Sequence, residues 1–150
     1  MIAVRSLVVG LFLIAVGIHT ALAANDPTDA SSSVERALEA ARIAHVPLVI
    51  VFGADWCEGC RELDSALKKS ANAQRLAREF RLVKVDVGNF DRNRLIDLTY
   101  GNPTQFGLPA AVVVSPDNTI LYTASAGQLA MASRNEGGLY ELFKSVFLPE

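Results

Sequence analysis

Leu48-Val49-Ile50-Val51-Phe52-Gly53-Ala54-Asp55-Trp56-Cys57-Glu58-Gly59-Cys60 decides how the rest of the chain reads. Its first five residues are an unbroken run of β-branched, aliphatic and aromatic side chains, the pattern of a strand buried on both faces. Arg61-Glu62-Leu63-Asp64-Ser65-Ala66-Leu67 continues with a helical pattern. Between them stand the only two cysteines, two residues apart. A strand that passes through a short loop into a helix opening with C-x-x-C is the setting of a redox dithiol. The first backbone N–H groups of a helix lack partners inside it, so they stabilise an anion placed there. Cys57 is therefore the candidate nucleophile, its thiol made more acidic by the helix start. Cys60, one turn further in, is expected to be the more buried sulfur and to resolve the mixed disulfide. The competing reading, a purely structural disulfide, is weaker, because so small a closed loop constrains the unfolded chain little.

Working outward, 150 residues leave room for one domain and little more. Formal net charge is -2, and the basic residues are scattered, which argues against a nucleic-acid footprint. The N-terminus reads as a signal peptide over residues 1–23: Arg5 precedes an apolar run from Leu7 to Ile18, and Ala21-Leu22-Ala23 fits a small-x-small cleavage site. An uncleaved inner-membrane anchor facing the periplasm is the alternative, but the run is short of the roughly 20 residues a span needs. No cysteine near the cleavage site offers a lipid anchor. Export together with a lone C-x-x-C points to a periplasm with active thiol chemistry.

Residues 24–33 read as a flexible N-terminal segment and 34–150 as the domain. Ser32 and Glu35 offer a capping box for a helix from about Val34 to His45, with Val34, Leu38 and Ala41 on one face. After the dithiol helix, Ala71 to Glu79 reads as a further helical piece broken off near Ser70. Phe80 to Val87 reads as a strand and Arg92 to Thr99 as a short helix. Tyr100 to Leu108 reads as a loop. Ala110 to Ser115 and Thr119 to Ala124 read as a hairpin, because so short a connection demands antiparallel strands. Gly127 to Gly138 reads as a loop with at most one helical turn. Leu139 to Phe147 reads as a closing amphipathic helix with Leu139, Leu142, Phe143 and Val146 inward.

Phe52-Gly53-Ala54-Asp55-Trp56-Cys57-Glu58-Gly59-Cys60 and, downstream, Gly107-Leu108-Pro109 together resemble the thioredoxin superfamily. The first looks like its aromatic-x-Ala-x-Trp-Cys-x-x-Cys box and the second like its cis-proline loop. The likeness runs from about Ser31 to the C-terminus. It implies an α/β, thioredoxin-like fold: a central mixed sheet of about four strands flanked by helices. No obvious strand precedes the first helix, so the extra N-terminal strand of full-length thioredoxins is not expected. It further implies a thiol–disulfide oxidoreductase that needs no cofactor, with a cis bond between Leu108 and Pro109. The Leu108 backbone would pair with an extended substrate segment, beside Trp56.

Two departures from the family pattern bear on the chemistry. Glu58 and Gly59 replace the Gly-Pro pair typical of thioredoxins. The Glu58 charge disfavours a neighbouring thiolate and leans the pair toward a reductant, and Gly59 loosens the helix start. Val51 stands where thioredoxins carry a buried acid that serves the resolving thiol. Asp55, or Glu58, acting through water, is the expected substitute. Lys84 and Asp86 are expected near the site at a strand end, and Gln105 and Phe106 at a substrate rim. Met131 and the 128–135 segment are expected on the surface, and His45 at a helix end, solvated or capping.

Three functions follow. The first is an exported oxidoreductase exchanging the Cys57–Cys60 pair with protein disulfides or dithiols. It would be a monomer fed electrons by an inner-membrane relay protein, as the resemblance to small periplasmic reductases implies. The second is a copper(I)-binding or delivery module using the same two soft thiolates. A zinc site is short of ligands, since only His45 remains as a further strong one, so no resident metal is expected. The third is a noncatalytic adaptor of the same fold. Residue types alone leave open whether the dithiol reduces, oxidises or isomerises.

Overall fold

The computed structural model describes residues 29–147. The signal-peptide assignment and residues 24–28 of the 24–33 segment lie outside them. In chain order the elements are α1 (Ser31–Ala44), β1 (Leu48–Gly53), α2 (Glu58–Lys68), α3 (Ser70–Glu79), β2 (Arg81–Asp86), α4 (Arg94–Thr99), a 3-10 turn (Pro103–Phe106), β3 (Ala110–Val114), β4 (Ile120–Ala124), α5 (Ala126–Arg134) and α6 (Gly138–Phe147).

The four strands form one mixed sheet in the order β2-β1-β3-β4. β1 runs parallel to β2, with Val51 opposite Lys84, and antiparallel to β3. β3 and β4 form the antiparallel hairpin expected from their short connection. Strand side chains alternate between faces, so β1 feeds two cores. Leu48, Ile50 and Phe52 pack with Val34 and Ala41 of α1, Ile96 of α4, and Val112 and Val114 of β3. Val49 and Val51 pack with Leu63 and Leu67 of α2, Leu76 of α3, Leu129 of α5, and Leu139 and Phe143 of α6. Burial on both faces explains why β1 and β3 are apolar without alternation. The result is a three-layer α/β/α sandwich whose active helix grows out of a central strand.

Three sequence expectations are corrected. The 127–138 stretch is not a loop but carries α5, nine residues long. Its start is fixed by a capping box: the Ser125 hydroxyl accepts the Gln128 N–H, and the Gln128 side chain accepts the Ser125 N–H. The capping box expected at Ser32 and Glu35 does not form. Helix α1 already begins at Ser31, so Ser32 lies inside it; Ala30 is the N-cap, with no side-chain cap bond. The Asp29 carboxylate instead accepts the Ser31 N–H at 2.8 Å. Ser31 to Ser33, expected in the flexible segment, are therefore helical. The break between α2 and α3 falls at Lys69, whose backbone is extended.

Candidate active site

Cys57 is the N-cap of α2, with an extended backbone, and its sulfur accepts the Cys60 N–H at 3.2 Å. That is the anion-stabilising position the sequence pointed to. The two cysteines are joined in a disulfide. The loop that delivers Cys57 is held at both ends. The Arg61 guanidinium donates to the Asp55 carbonyl at 2.7 Å, and the Cys57 N–H donates to the Ala54 carbonyl at 3.1 Å.

The two cysteines rank by residue burial in the reverse of the order expected for their sulfurs. Cys57 is buried, at 6% exposure, whereas Cys60 is half-buried and lines a cleft of about 340 Å3. The cleft runs along the end of β1 and β2 and is lined on that side by Val51, Gly53, Lys84, Val85 and Asp86. Gly53 leaves it open: a Cβ there would lie 3.2 Å from the Cys60 sulfur. The expectation that Cys57 is the nucleophile thus rests on its place at the helix start, not on exposure.

Pro109 is buried and joined to Leu108 by a cis peptide bond. It stands directly against the dithiol helix, since a Cβ on Gly59 would come within 3.2 Å of Pro109 Cδ. Gly59 therefore has a packing reason beyond the looseness expected of it. Leu108 is half-buried against the α1 side of the core. The preceding loop is held from α4. Asp97, 8% exposed, accepts the Thr104 N–H on Oδ1 at 3.2 Å and the Thr104 hydroxyl on Oδ2 at 2.8 Å.

Trp56 is 54% exposed, yet its orientation is fixed. The indole N–H donates to the Gly88 carbonyl at 2.8 Å, and its ring meets that of Phe90 at 5.9 Å between centroids. Asp86 shapes that loop, accepting from the Gly88 N–H and pairing with Arg92 at 2.8 Å. Phe90 was missed by the sequence reading; an aromatic in a Gly-Asn-Phe-Asp turn was the available signal. Glu58 is exposed on the first turn of α2, and Asp55 is exposed at the cleft margin. Gln105 and Phe106 are exposed beside the proline loop, as is Met131, which sits on α5. His45 is the exposed C-cap of α1, in left-handed conformation. Among the described residues, no group of three or more His, Cys, Asp or Glu side chains is placed to hold a metal ion. No helix among them is long and apolar enough to cross a membrane.

The thioredoxin-like family model matches residues 29–116, spanning β1, the dithiol helix and the proline loop. The chain belongs to the thioredoxin-like family. Among solved structures it is similar to a disulphide isomerase from Xylella fastidiosa, at 41% identity and a TM-score of 0.73, covering 85% of this chain and 98% of that one. The oxidised C-terminal domain of DsbD from Neisseria meningitidis is 24% identical, with a TM-score of 0.53 and coverage of 76% and 96%. A thioredoxin from Thermus thermophilus is 16% identical, with a TM-score of 0.57 and coverage of 76% and 83%. The last two are likenesses of fold. No curated protein sequence matches the chain. With its C-x-x-C at the helix start, this thioredoxin-like protein is a thiol–disulfide oxidoreductase.

Proposed function

We propose that the protein is exported and that its Cys57–Cys60 pair donates electrons to disulfides of other proteins. The observation that carries this reading is Cys57 as N-cap of α2, its sulfur on the Cys60 N–H, with the cis-proline turn packed against the same helix start. Cys57 attacks a substrate disulfide, and Cys60 then attacks Cys57, forming the internal disulfide and releasing reduced substrate. Trp56, Phe90 and the Leu108 backbone form the surface on which an extended substrate segment lies. Glu58 favours the reductant over the oxidant, since its charge opposes the thiolate that a strong oxidant must stabilise. The pattern of residues 1–23 supports export to a periplasm, where an inner-membrane relay protein would return electrons to the pair.

Isomerase activity is the second reading, favoured by the likeness to the 41% identical disulphide isomerase. Both activities require the pair to be kept reduced, because each begins with attack by a thiolate.

Equilibration of the chain lacking residues 1–23 against a defined thiol buffer tests the direction. A reduction potential near the thioredoxin value of about -270 mV is expected, and one near about -120 mV overturns the reductant assignment. Recovery of scrambled ribonuclease separates isomerase from reductase. Cys60→Ser should trap substrates as stable mixed disulfides on Cys57, and Cys57→Ser should trap none. The opposite pattern reassigns the nucleophile.

A further inference from the structure

The missing buried acid leaves the Cys60 proton without an acceptor at Val51, which is apolar and 4% exposed. The cleft beside Cys60 supplies another. Its charged lining consists of Asp55, Arg61, Asp64, Lys84 and Asp86. Two of the three carboxylates are poorly suited. Asp86 has both carboxylate oxygens taken beside its own loop, Oδ1 by the Gly88 N–H and Oδ2 by Arg92, whereas Lys84 takes only Oδ1 of Asp64. Asp55 is exposed on the loop and has no partner that would fix its side chain toward the cleft. Asp64 is half-buried, and it lies one helical turn beyond Cys60 on α2, so the two side chains share a helix face. Lys84 reaches it from β2, with Nζ 2.5 Å from Oδ1. Lys84 is also the residue opposite Val51 in the strand register. Lys68 and Arg81 line, with Asp64, the adjoining groove between α2, α3 and β2.

We propose that Asp64, positioned by Lys84, is the proton acceptor for Cys60. The inference rests on the dithiol exchange reading above. With substrate sulfur bonded to Cys57, a water in the cleft carries the Cys60 proton to the Asp64 carboxylate. The Cys60 thiolate attacks Cys57 Sγ, the Cys57–substrate S–S bond breaks, and the substrate thiolate leaves with the electron pair. The two cysteines are oxidised by two electrons and the substrate disulfide is reduced by two. Asp64 then returns its proton to solvent or to the departing thiolate. A cleft of this size, with charged side chains in its lining, readily holds the bridging water.

The test uses the reduced full chain and 5,5′-dithiobis(2-nitrobenzoate) in stopped flow. Attack by Cys57 releases the first thionitrobenzoate, and attack by Cys60 releases the second. Asp64→Asn should slow the second phase by about tenfold near neutral pH, while the first stays within about twofold of the parent. The deficit should shrink as pH rises and Cys60 ionises unaided, and Asp64→Glu should recover most of the rate. Lys84→Met, which releases the carboxylate from its position, should slow the second phase by a smaller factor. A second phase unchanged in Asp64→Asn at every pH overturns the proposal. So does a pH-independent slowing of both phases together, which marks a merely structural residue. A parent protein that shows no intramolecular second phase overturns the exchange reading itself.

Discussion

Asp97→Ala is the substitution that most directly asks whether α4 positions the proline loop. The Asp97 carboxylate accepts two hydrogen bonds from one residue, the Thr104 N–H and the Thr104 hydroxyl. Both residues are 8% exposed, so water does not freely replace the lost acceptor. A buried donor left without a partner costs about 1–3 kcal/mol. Thr104 has two such donors. Partial relaxation of the loop and rotation of the hydroxyl reduce the sum, giving about 2–4 kcal/mol for the whole substitution. In a domain of this size each kcal/mol moves Tm by about 3–5 °C, so a fall of about 10 °C is expected.

Thermal unfolding of the oxidised protein followed by far-UV circular dichroism reads this directly. Thr104→Val removes the hydroxyl but keeps the N–H, and alone it should cost less. In the double variant the two losses should not add, because Thr104 Oγ1 has already lost its acceptor. The functional consequence is separable. Loosening the loop that leads into Pro109 should lower kcat/KM for a protein disulfide while leaving alkylation of Cys57 by iodoacetamide unchanged. A Tm within about 2 °C of the parent, or strictly additive losses in the double variant, refutes the coupling between α4 and the proline loop.

Two further substitutions probe local packing. Gly59→Ala gains up to about 1 kcal/mol of helix propensity, but its Cβ would meet Pro109 Cδ at 3.2 Å. Stability should therefore change little while kcat/KM toward protein disulfides falls by about threefold or more, because Pro109 is displaced from the dithiol; unchanged kcat/KM would show that the proline gives way at no cost to function. Ser125→Ala removes the hydroxyl half of the α5 capping box and should cost about 1 kcal/mol in urea unfolding, and a loss below measurement error would mean that α5 is held by Leu129 alone.

The strand-dithiol-helix unit was legible because each part is dictated locally. β1 is buried on both faces, so its sequence is apolar throughout. Cys57 is a helix N-cap because the helical pattern starts one residue later. Helix α5 was illegible for an equally local reason. Ala126-Gly127-Gln128-Leu129-Ala130-Met131-Ala132-Ser133-Arg134 buries one side chain, Leu129, and exposes Met131. With Gly127 near its start and Gly137-Gly138 after it, it lacks an apolar stripe and carries turn punctuation. The Ser-x-x-Gln spacing at Ser125 was the usable signal, just as the same kind of spacing at Ser32 misled. A capping motif says that a helix can start, and the neighbouring backbone decides whether it starts there. Asp97 was hidden differently: a carboxylate within a short helix reads as solvated until its partner, seven residues away, folds back onto it.

The reversed burial of the two cysteines has a consequence for how the site divides its labour. In the nucleophilic role proposed above, Cys57 draws on the backbone: its sulfur is an N-cap acceptor of the Cys60 N–H, which the helix fixes whatever the side chains do. Among the described residues no backbone N–H donates to the Cys60 sulfur; Cys60, inside the first turn, is instead the donor to Cys57. On the proposed mechanism, activation of Cys60 comes from side chains across the cleft that Gly53 and the apolar Val51 leave open. The absence of an acid at Val51 and the half-exposure of Cys60 are then two sides of one arrangement. A dry, buried resolving thiol needs a buried acid beside it, whereas a thiol facing an open cleft with charged side chains in its lining can pass its proton to a partly solvated carboxylate on its own helix. Such a carboxylate also imposes a smaller desolvation cost on the fold than a buried one.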